Sequence, residues 1–582
     1  MKRLAVILLL FAFSLAARAD EDAAFRTLSA EDAALYRQIF VLQESGNWIE
    51  ADKLIKKVSD PLLMGHVKFQ RYMHPTKYRS SFAELSGWMG AYADHPGANR
   101  VYSLALKRRG SAAYPKAPLS ASPAGVDTAK LKPSDPRSAE ERKAVASFKG
   151  RVSSEIRRNR PERAEKRLWA MEARALLTES EWVDALISVA ENYFYNGKDE
   201  KALAIASLAV EEAKTPQAGA LWIAGLAAWR GGDCERAEAN FRPLADGATS
   251  DAWLAAAGGV WAARSAIACQ RPEAAPALLV KAAGHKTTFY GLIAHRQLGI
   301  EPPFRWDALT LDSKARDALL TLPSVRRAAA LVEAGRPELA DEELRLVWSR
   351  RQAAAPEDLI AFAAALDLPA TQVIVARGAS TPNALPDSPF YPVPNWQPDG
   401  GFEIDRALFF AIMRQESHFM PRAKSSVGAM GLMQLMPATA SFIMRDRSLR
   451  LSGKERLYEP TLNMTIAQTY LRYLFSEATT GGSLIKVTSA YHSGPGNVAK
   501  WQARVNHQDD PLLFIESIPG KEARNYLEKV LANYWIYQHR FGQPSPSLDA
   551  LAAGAWPVYD ALDSETERFA ETGNPPAIDA QN

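Results

Sequence analysis

Apolar residues recur at three- and four-residue spacings from residue 20 to about residue 390, where alanine, leucine, glutamate and arginine are abundant. This period predicts a succession of amphipathic helices. Short polar turns containing glycine interrupt the pattern, for example at Gly46, Gly197, Gly231 and Gly335. Turns of this kind join antiparallel helix pairs.

The spacing of these turns resembles that of a helical repeat. Gly197 and Gly231 lie 34 residues apart, within the range of two-helix repeats. Because the repeat is degenerate, we expect an irregular α-superhelix, a helical-repeat solenoid without a strict array. The alternative is a helical domain without repeats. Either one predicts a scaffold or binding surface, since the region holds no catalytic constellation.

Two proline-rich segments divide the chain. Residues 115–137 predict a long loop inside the helical region, and residues 382–398 predict a stiff, extended linker. We therefore expect an all-α protein with a superhelical domain at 20–390 and a second helical domain at 391–542. Residues 543–582 are rich in proline, alanine and acids, which predicts a mostly disordered tail.

The first 19 residues have the pattern of a cleaved secretory signal. Lys2 and Arg3 precede an apolar run at residues 4–15, and Ala17 and Ala19 form a small-x-small cleavage site. A membrane anchor is the alternative, but the run is too short to span a bilayer comfortably. No cysteine follows the site, so we expect no lipid-attached form. No later segment has about 20 unbroken apolar residues, so we expect no other membrane span.

Composition and charge narrow the class of partner. The chain has 582 residues, 47% hydrophobic and 23% charged, and a formal net charge of +4. Three basic residues lie in the signal segment, so its removal leaves +1. A nearly neutral protein gives no electrostatic support for nucleic-acid binding. A polymer held by neutral hydrogen bonds and ring stacking suits such a surface.

The chain has two cysteines, Cys234 and Cys269, which lie 35 residues apart, about one repeat length. Each lies near a turn between predicted helices, so neighbouring repeats can bring them together. An exported protein can hold a disulfide, and the sequence leaves open whether these two form one. No cluster of histidines accompanies them, so we expect no metal site.

A carboxylate interrupts the apolar stripe of a helix near the start of the second domain. The helix is predicted to begin at Asp405 as N-cap, with Leu408, Ala411 and Ile412 buried. The same stripe continues to Glu416 at the C-terminal end. Burial and the helix dipole would both raise the pKa of Glu416, which suits a general acid. The alternative is a helix-end glutamate that faces solvent.

Three later blocks favour the catalytic interpretation. Gln434 stands among leucines and methionines, where an amide needs a hydrogen-bonding partner such as a sugar. Tyr491 precedes a tight Gly-Pro-Gly turn and offers a ring and a hydroxyl. Glu516 begins the block Glu-Ser-Ile-Pro, which is followed by Tyr526.

These blocks, in this order, resemble the catalytic domain of soluble lytic transglycosylases, which is related to goose-type lysozyme. The matching pieces are Glu416-Ser417, residues 431–434, residues 490–496 and residues 516–519. Two positions depart from the family pattern, since His492 replaces asparagine and Ser493 replaces alanine. The resemblance is detailed over about residues 390–542 and weaker upstream.

The resemblance implies a helical region that curls into a ring and carries a lysozyme-like domain. It implies cleavage of the β-1,4 bond between N-acetylmuramic acid and N-acetylglucosamine in peptidoglycan. Glu416 would act first as acid and then as base, and the product would end in 1,6-anhydro-N-acetylmuramic acid. The sequence shows no clear second catalytic carboxylate. This observation fits the one-carboxylate reaction better than ordinary hydrolysis, which uses a pair.

The resemblance also implies the roles of the other site residues. Those expected to place the sugars are Ser417, Ser425, Gln434, Tyr491 and Glu516. Met436 would supply apolar contact, and Tyr526 would hydrogen-bond Glu416 or hold its helix. No metal or organic cofactor is implied.

We expect a monomer in the periplasm of a Gram-negative type of cell, bound to peptidoglycan glycan strands and open to complexes with other cell-wall enzymes. The alternatives are a hydrolytic muramidase and a non-catalytic peptidoglycan-binding scaffold. The reducing end of the digestion product, identified by mass spectrometry, distinguishes the hydrolytic muramidase from the transglycosylase. The presence of Glu416 argues against the second.

Overall fold

The computed structural model describes residues 25–119, 135–352, 355–379 and 384–563. Regular structure in these ranges is helical, and the only extended pairing in them consists of isolated bridges such as Ser483 with Val558. The all-α prediction is therefore confirmed. The predicted signal segment, the centre of the first proline-rich loop and residues 564–582 lie outside the described residues. None of the described helices is both long and apolar enough to cross a membrane.

The chain divides into two compact units, and each is discontinuous in sequence. The first contains the described parts of Met1–Lys130 and Arg305–Trp396, together with His418–Arg422. The second contains the described parts of Leu131–Phe304, Gln397–Ser417 and Ala423–Asn582. The second unit thus combines the middle of the predicted helical region with the C-terminal region. The predicted domain boundaries stay a prediction.

Helices of the first unit follow one another with short turns. Its α-helices are Ala30–Glu44, Trp48–Ile55, Met64–Tyr72, Phe82–Tyr92, Ala98–Arg108, Ser313–Leu320, Pro323–Glu333, Pro337–Ser349, Pro356–Ala365 and Pro369–Gly378, and its 3-10 turns are Pro61–Leu63 and Ser388–Phe390. Tyr36, Phe40 and Phe362 are fully buried in its main core. The predicted turns at Gly46 and Gly335 are present, each glycine with positive φ.

The N-terminal part of the second unit continues this pattern of consecutive helices. They are Ala139–Arg157, Pro161–Leu168, Met171–Leu176, Glu179–Tyr195, Asp199–Glu212, Ala218–Arg230, Cys234–Pro243, Ala252–Ala268, Ala275–Ala283 and Phe289–Leu298, with a π-helical turn at Leu244–Ala248 and a 3-10 turn at Pro272–Ala274. Two of them begin with a capping box, formed by Ser138 with Glu141 and by Thr178 with Glu181, in which each side chain accepts a hydrogen bond from the other's backbone. Cys234 and Cys269 form a disulfide with a Cα–Cα distance of 5.6 Å.

The C-terminal part of the second unit is also helical. Its α-helices are Arg406–Ser417, Pro437–Met444, Pro460–Ser476, Leu484–Ser493, Pro495–Arg504, Pro511–Ser517, Lys521–Arg540 and Pro546–Ala552, with 3-10 turns at Arg447–Arg450 and Lys454–Tyr458. We call Arg406–Ser417 the glutamate helix and Lys521–Arg540 the long helix; the two pack against each other. Phe289 stacks on Trp535 of the long helix with ring centroids 5.2 Å apart, which ties the two parts of this unit together.

The predicted disordered tail is wrong for residues 543–563. This segment contains the helix Pro546–Ala552 and ends at Asp563, which is buried. The Asp563 carboxylate accepts a 2.6 Å hydrogen bond from the Arg406 backbone, and the Pro557 carbonyl accepts one of 3.1 Å from Leu484. Composition alone predicted disorder because these long-range partners are not visible in local sequence.

Candidate active site

The glutamate helix carries Glu416 in its last turn, after a face on which Leu408, Phe409 and Ile412 are buried. The side chain of Glu416 is partly buried. At the other end of the helix, the Asp405 carboxylate accepts hydrogen bonds from the Tyr534 hydroxyl and the Asp563 backbone. The carboxylate predicted to cap the helix is thus part of a buried network at its N-terminal end, and its role as N-cap stays a prediction.

Glu416 has the electrostatic setting of a general acid. Burial raises its pKa to about 7, and the nearby Tyr526 hydroxyl lowers it in part. Tyr526 is buried, and its hydroxyl has no partner of ordinary hydrogen-bond geometry among the described residues. The charge of Glu416 adds to burial in keeping the pKa values of Tyr526 and Tyr491 well above normal. Both tyrosines therefore stay protonated beside an acid that titrates near neutrality.

Glu416 opens onto a cleft of about 560 Å³. The residues that line the cleft are Gln415, Glu416, His492, Lys521, Glu522, Asn525, Tyr526 and Lys529. Most of them come from the first turns of the long helix, where positions three or four apart face the same side. The cleft therefore lies between the end of the glutamate helix and the start of the long helix, with His492 beside them.

The loop that contains Ser425 and Gln434 is held by its own polar side chains. Gln434 has positive φ, and its amide nitrogen donates to the carbonyls of Gly431 and Ala423 at 2.8 and 3.2 Å. Ser425 Oγ accepts from the Ala429 backbone at 2.9 Å. Gly431 has φ +82°, and a Cβ there would lie 2.2 Å from a backbone oxygen, so glycine is required. The structure thus gives Gln434 and Ser425 a part in loop geometry.

Asn463 is a site residue that sequence reasoning missed. It is fully buried, and its side chain accepts from the Met433 backbone at 2.8 Å while donating to the carbonyls of Met430 and Leu457. One side chain thus fixes the loop from both directions. The available signal was a polar asparagine among the apolar residues Leu462, Met464 and Ile466, where a buried polar side chain needs partners.

Tyr491 joins this loop to the surroundings of Glu416. The Tyr491 hydroxyl donates to the Met433 carbonyl at 2.8 Å. Ser417 is buried and its hydroxyl donates to the Met413 carbonyl, one turn back in the glutamate helix. Met436 is exposed at the start of the next helix. The structure therefore brings Tyr491 and Tyr526 to Glu416, while Ser417 faces the interior.

Glu516 does not line the cleft. It is buried, and its carboxylate accepts a 2.5 Å hydrogen bond from Tyr290, whose oxygen accepts from the Trp261 indole at 3.0 Å. Burial raises the pKa of Glu516 and of its neighbour Glu528. Direct contact of Glu516 with a sugar would require this network to open, so the geometry supports a positioning role.

The same segment is held at a second point by a buried cation. Arg230 pairs with Asp199, lies over the ring of Phe194, and donates to Ser517 Oγ at 3.1 Å. Arg264 forms a further ion pair with Asp510 at 2.5 Å. The helices at 218–298 therefore support the chain that leads into the long helix. Sequence reasoning could not pair these residues, since they are far apart in the chain.

One group of described residues has the spacing of metal ligands, and it lies in the first unit. His66, His95 and Glu343 are buried with ligand atoms within 4.8 Å of one another. Glu343 already accepts hydrogen bonds from Arg327 through both oxygens and from His66 through one. The buried Arg327 guanidinium thus already neutralises the Glu343 carboxylate. Its positive charge disfavours binding of a metal ion at the same place.

Comparison with known proteins gives three results. Residues 397–514 match the family model of the Transglycosylase SLT domain. A soluble lytic murein transglycosylase of Salmonella typhimurium is 40% identical over 144 residues, which cover 25% of this chain and 22% of the relative. One of Escherichia coli is 38% identical over 157 residues, 27% of this chain and 24% of the relative. The chain therefore matches about a quarter of the length of these relatives, and the resemblance is confirmed for that segment.

Two solved structures share the fold over most of the chain. The lytic transglycosylase Slt of Pseudomonas aeruginosa, solved as an inactive mutant, has a TM-score of 0.54 at 19% identity and covers 89% of this chain and 88% of its own. The 70 kDa soluble lytic transglycosylase of Escherichia coli has a TM-score of 0.51 at 18% identity, covering 92% and 100%. At this identity the likeness shows the fold alone.

Proposed function

We propose that this chain is a lytic transglycosylase that cuts the glycan strands of peptidoglycan, with Glu416 as its single acid and base. The observation that carries the proposal is the position of Glu416. It is partly buried at a helix end, opens onto the cleft, has a pKa of about 7 and lies in the segment that matches the SLT domain. The names of the matched relatives support the choice of substrate.

In the first step, protonated Glu416 donates its proton to the oxygen that bridges N-acetylmuramic acid and N-acetylglucosamine. The bond from C1 to this oxygen breaks, and the N-acetylglucosamine side leaves with a new hydroxyl. The acetamide of the muramic sugar supports the positive charge at C1. A carboxyl with a pKa near 7 is suited to this step, because much of it is protonated at neutral pH.

In the second step, the Glu416 carboxylate takes the proton of the C6 hydroxyl, and O6 bonds to C1. The product is a 1,6-anhydro end, no water is consumed, and Glu416 is protonated again. Between the steps the carboxylate needs stabilisation, and the Tyr526 hydroxyl lies where it can supply it. Tyr491 and the loop that it holds would fix the sugar beside the acid.

A hydrolytic muramidase is the second candidate, and one observation favours keeping it. Glu522 lines the same cleft as Glu416 and has an exposed side chain. A second carboxylate in a cleft can activate water. Hydrolysis would add water at C1 and leave a reducing end, so the two reactions differ in product mass.

We also propose that the protein works in the periplasm as a monomer. The signal pattern in the first 19 residues and the cell-wall substrate support this location. Peptidoglycan lies outside the cytoplasmic membrane, so the enzyme must be exported to reach it. Sequencing the N-terminus of protein from a periplasmic extract would test cleavage after residue 19.

The proposed reaction is tested by digesting purified sacculi and identifying the released muropeptides by mass spectrometry. Anhydro ends that carry no added water are expected, and Glu416→Gln should release none. Reducing ends that depend on Glu522 would support the muramidase. Release that persists in Glu416→Gln would overturn the role of Glu416 in either reaction.

A further inference from the structure

A row of aromatic rings runs from the surroundings of Glu416 to the protein surface. Tyr491 lies 5.5 Å from Tyr470, Tyr470 lies 6.4 Å from Tyr473, and Tyr473 lies 6.0 Å from Phe442, measured between ring centroids. We call these four residues the aromatic row. Its inner member, Tyr491, is close enough to Glu416 for the carboxylate to raise its pKa.

The outer end of the aromatic row is exposed. The exposed fraction is 9% for Tyr491 and 65% for Phe442, while Tyr470 and Tyr473 are intermediate. Among the described phenylalanines, Phe442 alone has an exposed side chain. Internal packing accounts for the inner rings, whereas the ring of Phe442 is open to solvent at the end of a continuous row.

Two methionines of the same helical segment are also exposed. Met436 and Met444 are 40% and 38% exposed, and they lie at the two ends of the Pro437–Met444 helix that carries Phe442. Methionine adapts its shape to a partner, and aromatic rings offer flat apolar faces. Sugar rings have matching C–H faces, and their hydroxyls remain free to hydrogen-bond at the edges.

We propose that the aromatic row forms additional glycan-binding subsites, which hold sugar rings of the strand beyond the bond positioned at Glu416. This rests on the proposed function. The steps of the row are comparable in length to one pyranose ring, so successive sugars can meet its accessible members Tyr470, Tyr473 and Phe442. The row begins at Tyr491, beside Glu416, so a glycan strand bound at Glu416 can extend along it. We therefore infer a glycan strand as the occupant, in preference to a second copy of the chain or a lipid surface.

Binding is measured in the Glu416→Gln background, so that cleavage does not interfere. Isothermal titration with a peptidoglycan tetrasaccharide and with long glycan strands compares this protein with its Phe442→Ala variant. We expect about tenfold weaker binding of long strands and unchanged binding of the tetrasaccharide, since one aromatic contact is lost outside the central subsites. Val558→Ala, at an equally exposed apolar side chain, is the matched control and should change neither.

Three results of the titration and sedimentation experiments would overturn the proposal. They are an unchanged affinity for long strands, an equal loss for both ligands, and a concentration-dependent dimer that Phe442→Ala abolishes in sedimentation. Binding to vesicles of anionic phospholipid that depends on Phe442, without glycan binding, would also count against it. If the wild type leaves sacculi uncut while Phe442→Ala still weakens long-strand binding, the proposed reaction fails and the aromatic row stands.

Discussion

Tyr290 donates a 2.5 Å hydrogen bond to Glu516 although the two residues are 226 positions apart in the chain. Both side chains are buried. Glu516 precedes the long helix, which supplies Tyr526 and much of the cleft lining. A tyrosine of the helical region thus supports the segment that shapes the candidate active site, so this region contributes to cleft geometry.

Tyr290→Phe should destabilise the protein, and more so at high pH. The change removes the hydrogen bond that lowers the pKa of Glu516, so a buried carboxylate loses its donor when ionised. The expected cost is about 1–3 kcal/mol. Thermal unfolding at pH 5 and pH 8 measures it, and the loss should be larger at pH 8. Tyr114→Phe, at an exposed tyrosine, is the control; equal effects of the two changes would contradict the prediction.

Glu416→Gln should abolish activity and keep the fold. The amide has the size of the acid but cannot transfer a proton, and general acid–base catalysis contributes roughly 10²–10⁴-fold. Turnover on sacculi is the measurement, and circular dichroism verifies folding. Glu522→Gln, in the same cleft, is the matched control and should retain anhydro-product formation. Activity above about a tenth of wild type would exclude Glu416 as the acid.

The stability of Glu416→Gln should differ from wild type in a pH-dependent way. The pKa of Glu416 is raised from 4.5 to about 7 in the folded protein, so the folded state binds the proton more tightly. This tighter proton binding adds to the free energy of unfolding. The added stability is fully present below pH 4.5 and is lost as pH rises through 7. Glutamine does not titrate. The variant should therefore gain in melting temperature relative to wild type as pH rises from 4.5 through 7; a constant difference would contradict this.

Tyr526→Phe should move the alkaline limb of the pH–rate profile to higher pH. The Tyr526 hydroxyl lowers the pKa of Glu416, so its removal raises that pKa further and keeps the acid protonated. The maximal rate should fall, because the carboxylate formed in the first step loses its neighbour. Profiles of kcat/KM are the measurement. A limb that moves toward lower pH would show that Tyr526 acts in another way.

Removing the disulfide should lower thermal stability without changing the chemistry. Cys234 and Cys269 close a loop with a sequence separation of 35 residues, for which chain entropy gives about 3–4 kcal/mol. The Cys234→Ser, Cys269→Ser double variant should melt earlier and yield the same anhydro products. A reducing agent should destabilise wild type but leave the double variant unaffected; sensitivity of the double variant would point to another cause.

The helical fold and Glu416 could be predicted from local sequence, because both depend on periodicity. Glu416 was visible as a carboxylate on an apolar stripe, and burial is what raises its pKa. The placement of Glu516 in a buried network could not be predicted, since its partner Tyr290 is remote in sequence. Asn463 was missed for a related reason, as its backbone partners at Met430 and Met433 belong to another segment.

Family resemblance assigned sugar contacts by position and could not tell which side chains turn inward. Ser417 is an example, because its hydroxyl bonds its own helix. The aromatic row required coordinates as well. Tyr470 and Tyr473 are helix neighbours, but their proximity to Phe442 and Tyr491 depends on how three helices pack.

The interleaved order of the two units has a consequence for biogenesis. Residues 135–304 pack with residues 397–417 and 423–563, and the other unit likewise takes described residues from before and after this segment. Neither unit can therefore complete its core while the ribosome is still making the middle of the chain. Apolar surface on the helices at 139–298, such as the ring of Phe289 that stacks on Trp535, stays uncovered until the last third of the polypeptide is made. We expect this nascent chain to depend on holding chaperones until synthesis ends.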